Sequence, residues 1–383
     1  MDETTYRDGL TVAGDDSRIV KCMQRALAGE KLTVAFLGGS ITQGCLASEP
    51  KLCYAYRTYD WWEHSFPEAE ISYWNAGIGA TTSHLGVARL QEDVLSQRPD
   101  FVIVEFSVND EDESPHFKET YESLVRKILQ APWKPALMLA HNVRYNDGGN
   151  AEAIHRPVGE RYRVPSVSMK PSIYARVAQG QIEKRSITQD DLHPNDLGHE
   201  YVAGVIITFL EDVRKKALML GADANAGGEA DSSDSFLPLP IPLTRSSYEN
   251  ASRYRNYQIA PVENDGFKQD NTPQQAIADC FKRGWKASDL GDRIKFRVRG
   301  ENIAVQYRKT VRKPAPVATL YLDGDRSRGI TLDANFTEDW GDCLYLQTVL
   351  EHGNMADHTI EIEITKAGPG DAECFYLVSL IAG

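Results

Sequence analysis

The sequence predicts an α/β domain built on a parallel sheet, followed by an antiparallel β-sandwich of the jelly-roll type. Compact apolar runs alternate with helical patterns in the first half of the chain, a segment of small and acidic residues occupies 221–235, and apolar and polar side chains alternate from residue 292 onwards. The 383 residues also exceed what a single typical core needs. We therefore expect the α/β domain over 1–220, a linker over 221–235 and the β-sandwich over 236–383.

Four apolar runs are predicted to form the parallel strands of the first domain. They are apolar on both faces, which suits a sheet that is covered by helices on both sides. The runs are KLTVAFLG (31–38), AEISYWNAG (69–77), DFVIVEFSVND (100–110) and KPALMLAHNV (134–143). Helical patterns lie between these strands at 82–97 and 117–130, and a longer one at 195–220 closes the domain.

The second domain shows the period-two pattern of half-buried strands. Its segments are interrupted by turn signals such as Gly-Glu-Asn and Asp-Gly-Asp, which is typical of an antiparallel sandwich. The segments are DRIKFRVRGENIAVQYRK (292–309), PVATLYLDGDRSRGITLD (316–333), HTIEIEIT (358–365) and CFYLVSLIAG (374–383).

Composition and charge exclude several classes of protein. The net charge of −13 argues against a nucleic-acid partner. The sequence contains no run of 18 apolar residues, so no membrane span is predicted. The N-terminal MDETTYRDGL lacks the pattern of a secretory signal, so a cytoplasmic location is expected. The six cysteines form no CxxC pair and are interpreted as reduced structural thiols. We expect neither a metal nor an organic cofactor.

Ser40 is the first candidate for chemistry, because it directly follows two glycines that end an apolar strand. Alone, a serine after two glycines is usually a turn residue or part of a phosphate-binding loop. In an open parallel sheet, however, ligands bind beyond the carboxyl ends of the strands. Ser40, Gly77 and Asn109 follow three successive predicted strands and therefore meet at this edge.

Acyl transfer by a serine needs a base, an acid that orients the base, and donors for the oxyanion. The segment DDLHPN (190–195) precedes the closing helix and supplies His193 as the base and Asp190 as the acid. The Ser40 N–H, the Gly77 N–H and the Asn109 amide are the candidate oxyanion donors. The chain can thus supply every part of a serine hydrolase site.

Alternatives remain open for several of these roles. Asp191 rivals Asp190 as the acid, since a loop can turn either residue inward. His84, His141 and His199 are rival bases, and His141 is also a candidate substrate contact because it ends the fourth strand. The acidic segment NDEDES (109–114) is interpreted as a solvated loop, since its spacing matches no metal motif.

Four segments resemble, in order, the sequence blocks of the SGNH (GDSL-type) hydrolases: FLGGSITQG, NAGIGATTS, VEFSVND and DLHPN. The resemblance covers roughly residues 30–215. It implies a flavodoxin-like three-layer fold, with Ser40 as nucleophile, His193 as base and Asp190 as orienting acid. Two positions depart from the family pattern, Gly39 standing in place of an aspartate and Ser107 in place of a glycine.

The same resemblance implies Gly77 and Asn109, with the Ser40 N–H, as the oxyanion hole. An SGNH domain followed by a carbohydrate-binding-type β-sandwich resembles bacterial acetyl esterases that act on plant polysaccharides, mannan being favoured over xylan. The implied partner is an acetylated oligosaccharide. Trp285 and Trp340 are candidate sugar-stacking residues of the β-domain.

Other readings of the function remain open. A non-glycan acyl esterase, a thioesterase or an O-acetyltransferase would use the same side chains. A non-catalytic glycan-binding protein could also keep the overall structure of an esterase. The sequence patterns do not determine the oligomeric state, and a homodimer is one of the possibilities.

Overall fold

The computed structural model describes residues 3–224, 234 and 236–383, and it divides the chain into two units after Ser246. The first unit contains a parallel sheet and the second contains antiparallel sheets, so the predicted fold class is confirmed. Residues 225–233 and 235, most of the predicted linker, lie outside the described residues.

A six-stranded sheet forms the centre of the first unit, in the order β1-β6-β5-β4-β2-β3. Neighbouring strands from β6 to β3 pair in parallel, and β1 pairs with β6 antiparallel. The strands are β1 Leu10–Val12, β2 Lys31–Gly38, β3 Glu70–Gly77, β4 Phe101–Glu105, β5 Ala136–His141 and β6 Ser166–Ser168. The central strands β4 and β5 are buried along their whole length, which explains why every residue of each strand except the last is apolar.

Helices cover both faces of this sheet, as expected for a three-layer α/β fold. Helix α6 begins with a proline at its first position, where the missing N–H costs nothing. The helices are α1 Glu3–Arg7, α2 Ser17–Leu27, α3 Ser40–Gln43, α4 Tyr54–Ser65, α5 Ser83–Asp93, α6 Pro115–Leu129, α7 Glu152–Tyr162, α8 Ala175–Ala178, α9 Lys184–Ile187 and α10 Asp196–Ala224. None of the helices in the described ranges is long and apolar enough to cross a membrane.

The proline-rich segment 236–246 belongs to the first unit, whereas the sequence assigned it to the β-sandwich. Its anchor is the buried carboxylate of Glu122, which accepts the backbone N–H groups of Leu243 (2.6 Å) and Thr244 (2.7 Å). Arg126 donates to the carbonyl oxygen of Pro240 at 3.0 Å. Prolines remove the donors that strand pairing needs, so this segment runs along the first unit as irregular chain.

The second unit consists of two antiparallel sheets. One has the order β15-β12-β17-β10-β9, with β7 also paired to β17, and the other has the order β14-β13-β16-β11-β8. The side chains that alternate inward from both sheets form one apolar core. The strands are β7 Ser252–Tyr254, β8 Glu263–Asp265, β9 Lys268–Gln269, β10 Trp285–Ala287, β11 Arg293–Gly300, β12 Ile303–Lys309, β13 Val317–Leu322, β14 Ile330–Asp333, β15 Cys343–Leu350, β16 Ala356–Lys366 and β17 Phe375–Ala382.

Candidate active site

Ser40 is the first residue of the short helix α3, directly after β2 and one further glycine. Both preceding glycines are required by close packing. A Cβ atom at Gly38 would lie 2.4 Å from the carbonyl oxygen of Glu105, and a Cβ atom at Gly39 would lie 2.2 Å from Oδ1 of Asn109. A larger residue at either position would displace the chain. The two glycines therefore hold the Ser40 hydroxyl at the carboxyl edge of the sheet.

A continuous line of hydrogen-bonded side chains joins Ser40 to Asp190. His193 Nε2 lies 2.8 Å from Ser40 Oγ, and His193 Nδ1 lies 2.6 Å from Asp190 Oδ2. Asp190 Oδ1 accepts the backbone N–H groups of Leu192 (3.0 Å) and His193 (2.7 Å). The loop backbone thus fixes the carboxylate, and the carboxylate orients the imidazole so that Nε2 faces the hydroxyl.

The carboxylate of Asp190 is held in its ionised form. Partial burial alone would raise its pKa, but hydrogen bonds from the side chain of His193 and from the backbone of His193 and Leu192 outweigh burial and lower the pKa below its ordinary value. An ionised carboxylate beside Nδ1 stabilises the imidazolium that forms when Nε2 takes up a proton.

The rival acid, Asp191, points away from His193. Its backbone has a φ of 67°, and its carboxylate lies 2.9 Å from the Lys184 Nζ and 2.9 Å from a guanidinium nitrogen of Arg185. Hydrogen bonds from these two cations lower the pKa of Asp191. Of the two adjacent acids, the structure therefore brings Asp190 to the imidazole.

Among the described residues, none of the three rival bases is hydrogen-bonded to the Ser40 hydroxyl, which is bonded to His193. His199 has both ring nitrogens engaged, since Nδ1 accepts the Tyr54 N–H at 3.2 Å and Nε2 donates to the carbonyl oxygen of Cys45 at 3.1 Å. Burial, followed by the charge of a neighbouring histidine, lowers the pKa of His84 to about 3. His141, the candidate substrate contact at the end of the fourth strand, is 0% exposed, so its ring is buried and does not face a substrate at the rim.

The predicted oxyanion donors are only partly brought together. Asn109 lies against Gly39, beside the nucleophile, as expected. The N–H of Gly77, however, donates to Oδ1 of Asn75 at 2.8 Å. A Cβ atom at Gly77 would also lie 2.2 Å from the backbone nitrogen of Gln43, so this glycine packs under α3. Its expected role as an oxyanion donor therefore does not fit the structure, because its N–H is already bonded.

Ala80 lies in the same loop and was not among the donors predicted from the sequence. Within the described ranges 3–224, 234 and 236–383, its N–H has no hydrogen-bond acceptor. Its neighbours flank the nucleophile: a Cβ atom at Gly79 would lie 3.8 Å from the Ser40 Cβ, and one at Gly39 would lie 3.5 Å from the carbonyl oxygen of Thr81. Ala80 has a φ of 55°, which is uncommon for a residue with a side chain and marks a constrained loop.

A buried arginine supports the strand ends under the site. Arg89 is 0% exposed, and its guanidinium donates to the carbonyl oxygens of Gly38 (3.3 Å) and Ala76 (2.6 Å). It also forms an ion pair with Asp93 at 3.2 Å. The side chain therefore ties the end of β2, which leads to Ser40, to the end of β3, which leads to the loop of Ala80.

Buried acids support the loop of Asn109 in a similar way. Asp110 accepts the N–H of Ser83 at 2.8 Å and lies 3.0 Å from Nε2 of His155, which links this loop to α5 and α7. Ser107 Oγ lies 2.8 Å from Glu105 Oε1, so the hydroxyl that departs from the family pattern contributes to the support. Burial raises the pKa of Glu105 and of Asp110 to about 7.

The two tryptophans expected to stack on sugars have opposite environments in the second unit. Trp285 is 0% exposed and packs against Phe296, with ring centroids 4.9 Å apart, so it belongs to the core and cannot stack on a ligand. Trp340 is 54% exposed, and its edge meets Phe336 at 4.9 Å. Only Trp340 of this pair offers a ring face to solvent.

Within residues 3–224, 234 and 236–383, no group of three or more His, Cys, Asp or Glu side chains is arranged to hold a metal ion.

Known proteins resemble this chain over both units. A model of the GDSL-like Lipase/Acylhydrolase family matches residues 36–201. The crystal structure of a two-domain esterase (CEX) active on acetylated mannans is 50% identical, with a TM-score of 0.92 over 98% of each chain. A structure of such an esterase co-crystallized with mannopentaose is also 50% identical, with a TM-score of 0.91 over 98% of this chain and 97% of that one. A search of curated proteins gives no significant match.

Proposed function

This chain belongs to the GDSL-like lipase/acylhydrolase family, and we propose that it is a serine esterase that removes O-acetyl groups from mannan-derived oligosaccharides. The observation that carries the reaction is the line of hydrogen bonds from Ser40 through His193 to Asp190, at 2.8 and 2.6 Å. The substrate class rests on 50% identity, over both units, to esterases active on acetylated mannans.

In the proposed mechanism, the Ser40 hydroxyl attacks the acetyl carbonyl carbon while His193 Nε2 takes its proton. Asp190 stabilises the imidazolium through Nδ1. When the tetrahedral intermediate collapses, the bond to the sugar oxygen breaks and His193 gives its proton to that oxygen. Water then attacks the acetyl-serine with the help of the same imidazole, and acetate leaves. These steps require no metal or organic cofactor.

The negative oxygen of the tetrahedral intermediate needs donors that are in place before it forms. We assign this role to the N–H of Ser40, the side-chain amide of Asn109 and the N–H of Ala80. Ala80 takes the place first expected for Gly77, since the Gly77 N–H is bonded to Asn75. Such donors are each worth about 3–4 kcal/mol of transition-state stabilisation.

We further propose that Trp340 contributes to glycan binding by the second unit. Its ring is 54% exposed in the acidic loop that follows β14. Exposed aromatic faces stack on the C–H face of a pyranose, and this contact does not depend on one particular sugar sequence. This role would affect oligosaccharide substrates and spare small esters.

The test is acetate release from a panel of esters: 4-nitrophenyl acetate, acetylated manno-, xylo- and cello-oligosaccharides, and a long-chain ester. We expect preference for the acetylated manno-oligosaccharide, abolished in Ser40→Ala and retained in the control Ser96→Ala, which removes an exposed helix-end hydroxyl. Activity on the long-chain ester alone would overturn the glycan assignment. Transfer of acetyl to an added alcohol, without release of acetate, would identify an acetyltransferase.

A further inference from the structure

Gln43 is a polar side chain beside the nucleophile to which the mechanism above gives no role. It is the last residue of α3, three positions after Ser40, and it is exposed. Its backbone is fixed on both sides, because its N–H donates to the carbonyl oxygen of Gly39 at 2.9 Å and Gly44 ends the helix with a φ of 102°.

The side-chain amide of Gln43 is anchored at one end only. Its Oε1 accepts the N–H of Gly79 at 2.7 Å. A Cβ atom added at Gly79 would lie 3.2 Å from this Oε1 and 3.8 Å from the Ser40 Cβ, so the amide is next to the nucleophile. Within residues 3–224, 234 and 236–383, Nε2 has no acceptor. The acceptor of the amide is thus engaged, while two N–H donors remain for a ligand.

We propose that Gln43 is a specificity-determining residue whose Nε2 donates a hydrogen bond to an oxygen of the sugar that carries the acetyl group. This inference rests on the proposed function. The acyl oxygen is taken by the oxyanion donors, so the remaining acceptors near Ser40 are the hydroxyl and ring oxygens on the alcohol side of the ester. Anchoring by Gly79 fixes the rotamer in advance, which reduces the entropy lost on binding.

The exposed donor pair also predicts which substrates ignore Gln43. A nitrophenyl ring carries no hydroxyl or ring oxygen next to the ester, so 4-nitrophenyl acetate cannot use the Nε2 donors. An acetylated manno-oligosaccharide can. The contribution of Gln43 is therefore measured by how much the ratio of kcat/KM on the two substrates changes between the wild type and a variant. General damage to the site affects both substrates and cancels in this ratio.

Two variants separate substrate binding from support of the loop. Gln43→Glu keeps an acceptor for the Gly79 N–H but loses the amide donors, whereas Gln43→Met loses both. We expect the ratio of kcat/KM for acetylated manno-oligosaccharide over 4-nitrophenyl acetate to fall about tenfold in both variants, as expected for one lost hydrogen bond. Any added effect of the glutamate charge on the reaction itself acts on both substrates.

An unchanged ratio in both variants would overturn the inference and leave Gln43 as a support for the loop of Gly79 and Ala80. In that case Gln43→Met would lower activity on both substrates equally. If the wild-type protein releases no acetate from the oligosaccharide while cleaving 4-nitrophenyl acetate, the proposed function fails and this inference fails with it. If the wild type prefers the acetylated manno-oligosaccharide and the ratio is unchanged in the variants, only the proposed role of Gln43 is refuted.

Discussion

Replacing Asp190 by asparagine tests the assigned acid with little change in shape. The aspartate makes four hydrogen bonds within its own loop. Oδ1 accepts two backbone N–H groups and, at 3.4 Å, the Thr188 hydroxyl, and Oδ2 lies 2.6 Å from His193 Nδ1. An asparagine oxygen can keep both backbone bonds. Its NH₂ group would then face Nδ1 and, as a donor, would favour the imidazole tautomer that has its proton on Nε2. That tautomer cannot accept the Ser40 proton.

The expected loss follows from this tautomer change. In serine triads, losing the acid in this way lowers kcat by about 10⁴-fold, equivalent to roughly 5.5 kcal/mol. The side chain of Asp190 is 45% exposed, so water competes with it for the imidazole. We therefore expect a smaller loss in Asp190→Asn, about 10³-fold or roughly 4 kcal/mol. The free energy of unfolding should change by less than about 1 kcal/mol, because the two hydrogen bonds from the backbone persist.

The assay is kcat/KM on 4-nitrophenyl acetate, together with urea unfolding of each variant. Asp191→Asn is the matched control, since it makes the same chemical change one residue away on a carboxylate that faces Lys184 and Arg185. The control should keep activity within a few-fold of wild type. Equal losses in the two variants, or a loss only in Asp191→Asn, would refute the assignment of Asp190.

Three further predictions concern the buried arginine under the site, the pH dependence of stability and glycan binding by Trp340. Arg89→Met should lower the free energy of unfolding by about 3–5 kcal/mol, because it leaves the carboxylate of Asp93 without its buried partner; an unchanged urea midpoint would contradict this. Burial lowers the pKa of His199 to about 4, so the folded protein resists protonation of this ring. The free energy of unfolding should therefore fall by about 3 kcal/mol as the pH drops from 6.5 to 4. His199→Gln should make the free energy of unfolding depend less on pH over that window, as measured by urea unfolding at several pH values. Trp340→Ala should raise KM for acetylated manno-oligosaccharides about fivefold, roughly 1 kcal/mol, and leave 4-nitrophenyl acetate unchanged; equal effects on both substrates would exclude a glycan contact.

Much of the first unit could be predicted because its strands are buried on both faces. The run 31–38 coincides with β2, and the runs 69–77, 100–110 and 134–143 each contain one strand of the sheet. The strands β1 and β6 were not predicted, since three residues are too few to show a period. Helix α6 starts earlier than its apolar pattern because Pro115 can occupy its first position.

The division of the chain could not be read from composition. Three prolines after an acidic, small-residue segment are typical of a linker, and the sequence gives no sign that Glu122 would bind the backbone of this segment. A glutamate on a helical pattern is normally exposed. Its burial follows from tertiary contacts, with Tyr162 donating a further hydrogen bond at 2.6 Å. A one-dimensional pattern carries no record of such a partner.

The candidate site shows the same limit at the scale of a single hydrogen bond. Sequence order correctly placed Ser40, Gly77 and Asn109 at one edge of the sheet, because parallel strands share their carboxyl ends. Whether an N–H group at that edge is free depends on the side chains around it. Asn75, two residues before Gly77, takes up the Gly77 N–H, whereas the turn that puts Ala80 at a φ of 55° leaves its N–H without an acceptor among the described residues. Topology therefore predicts which loops meet, and local hydrogen bonding decides which atom of a loop can take part in the reaction.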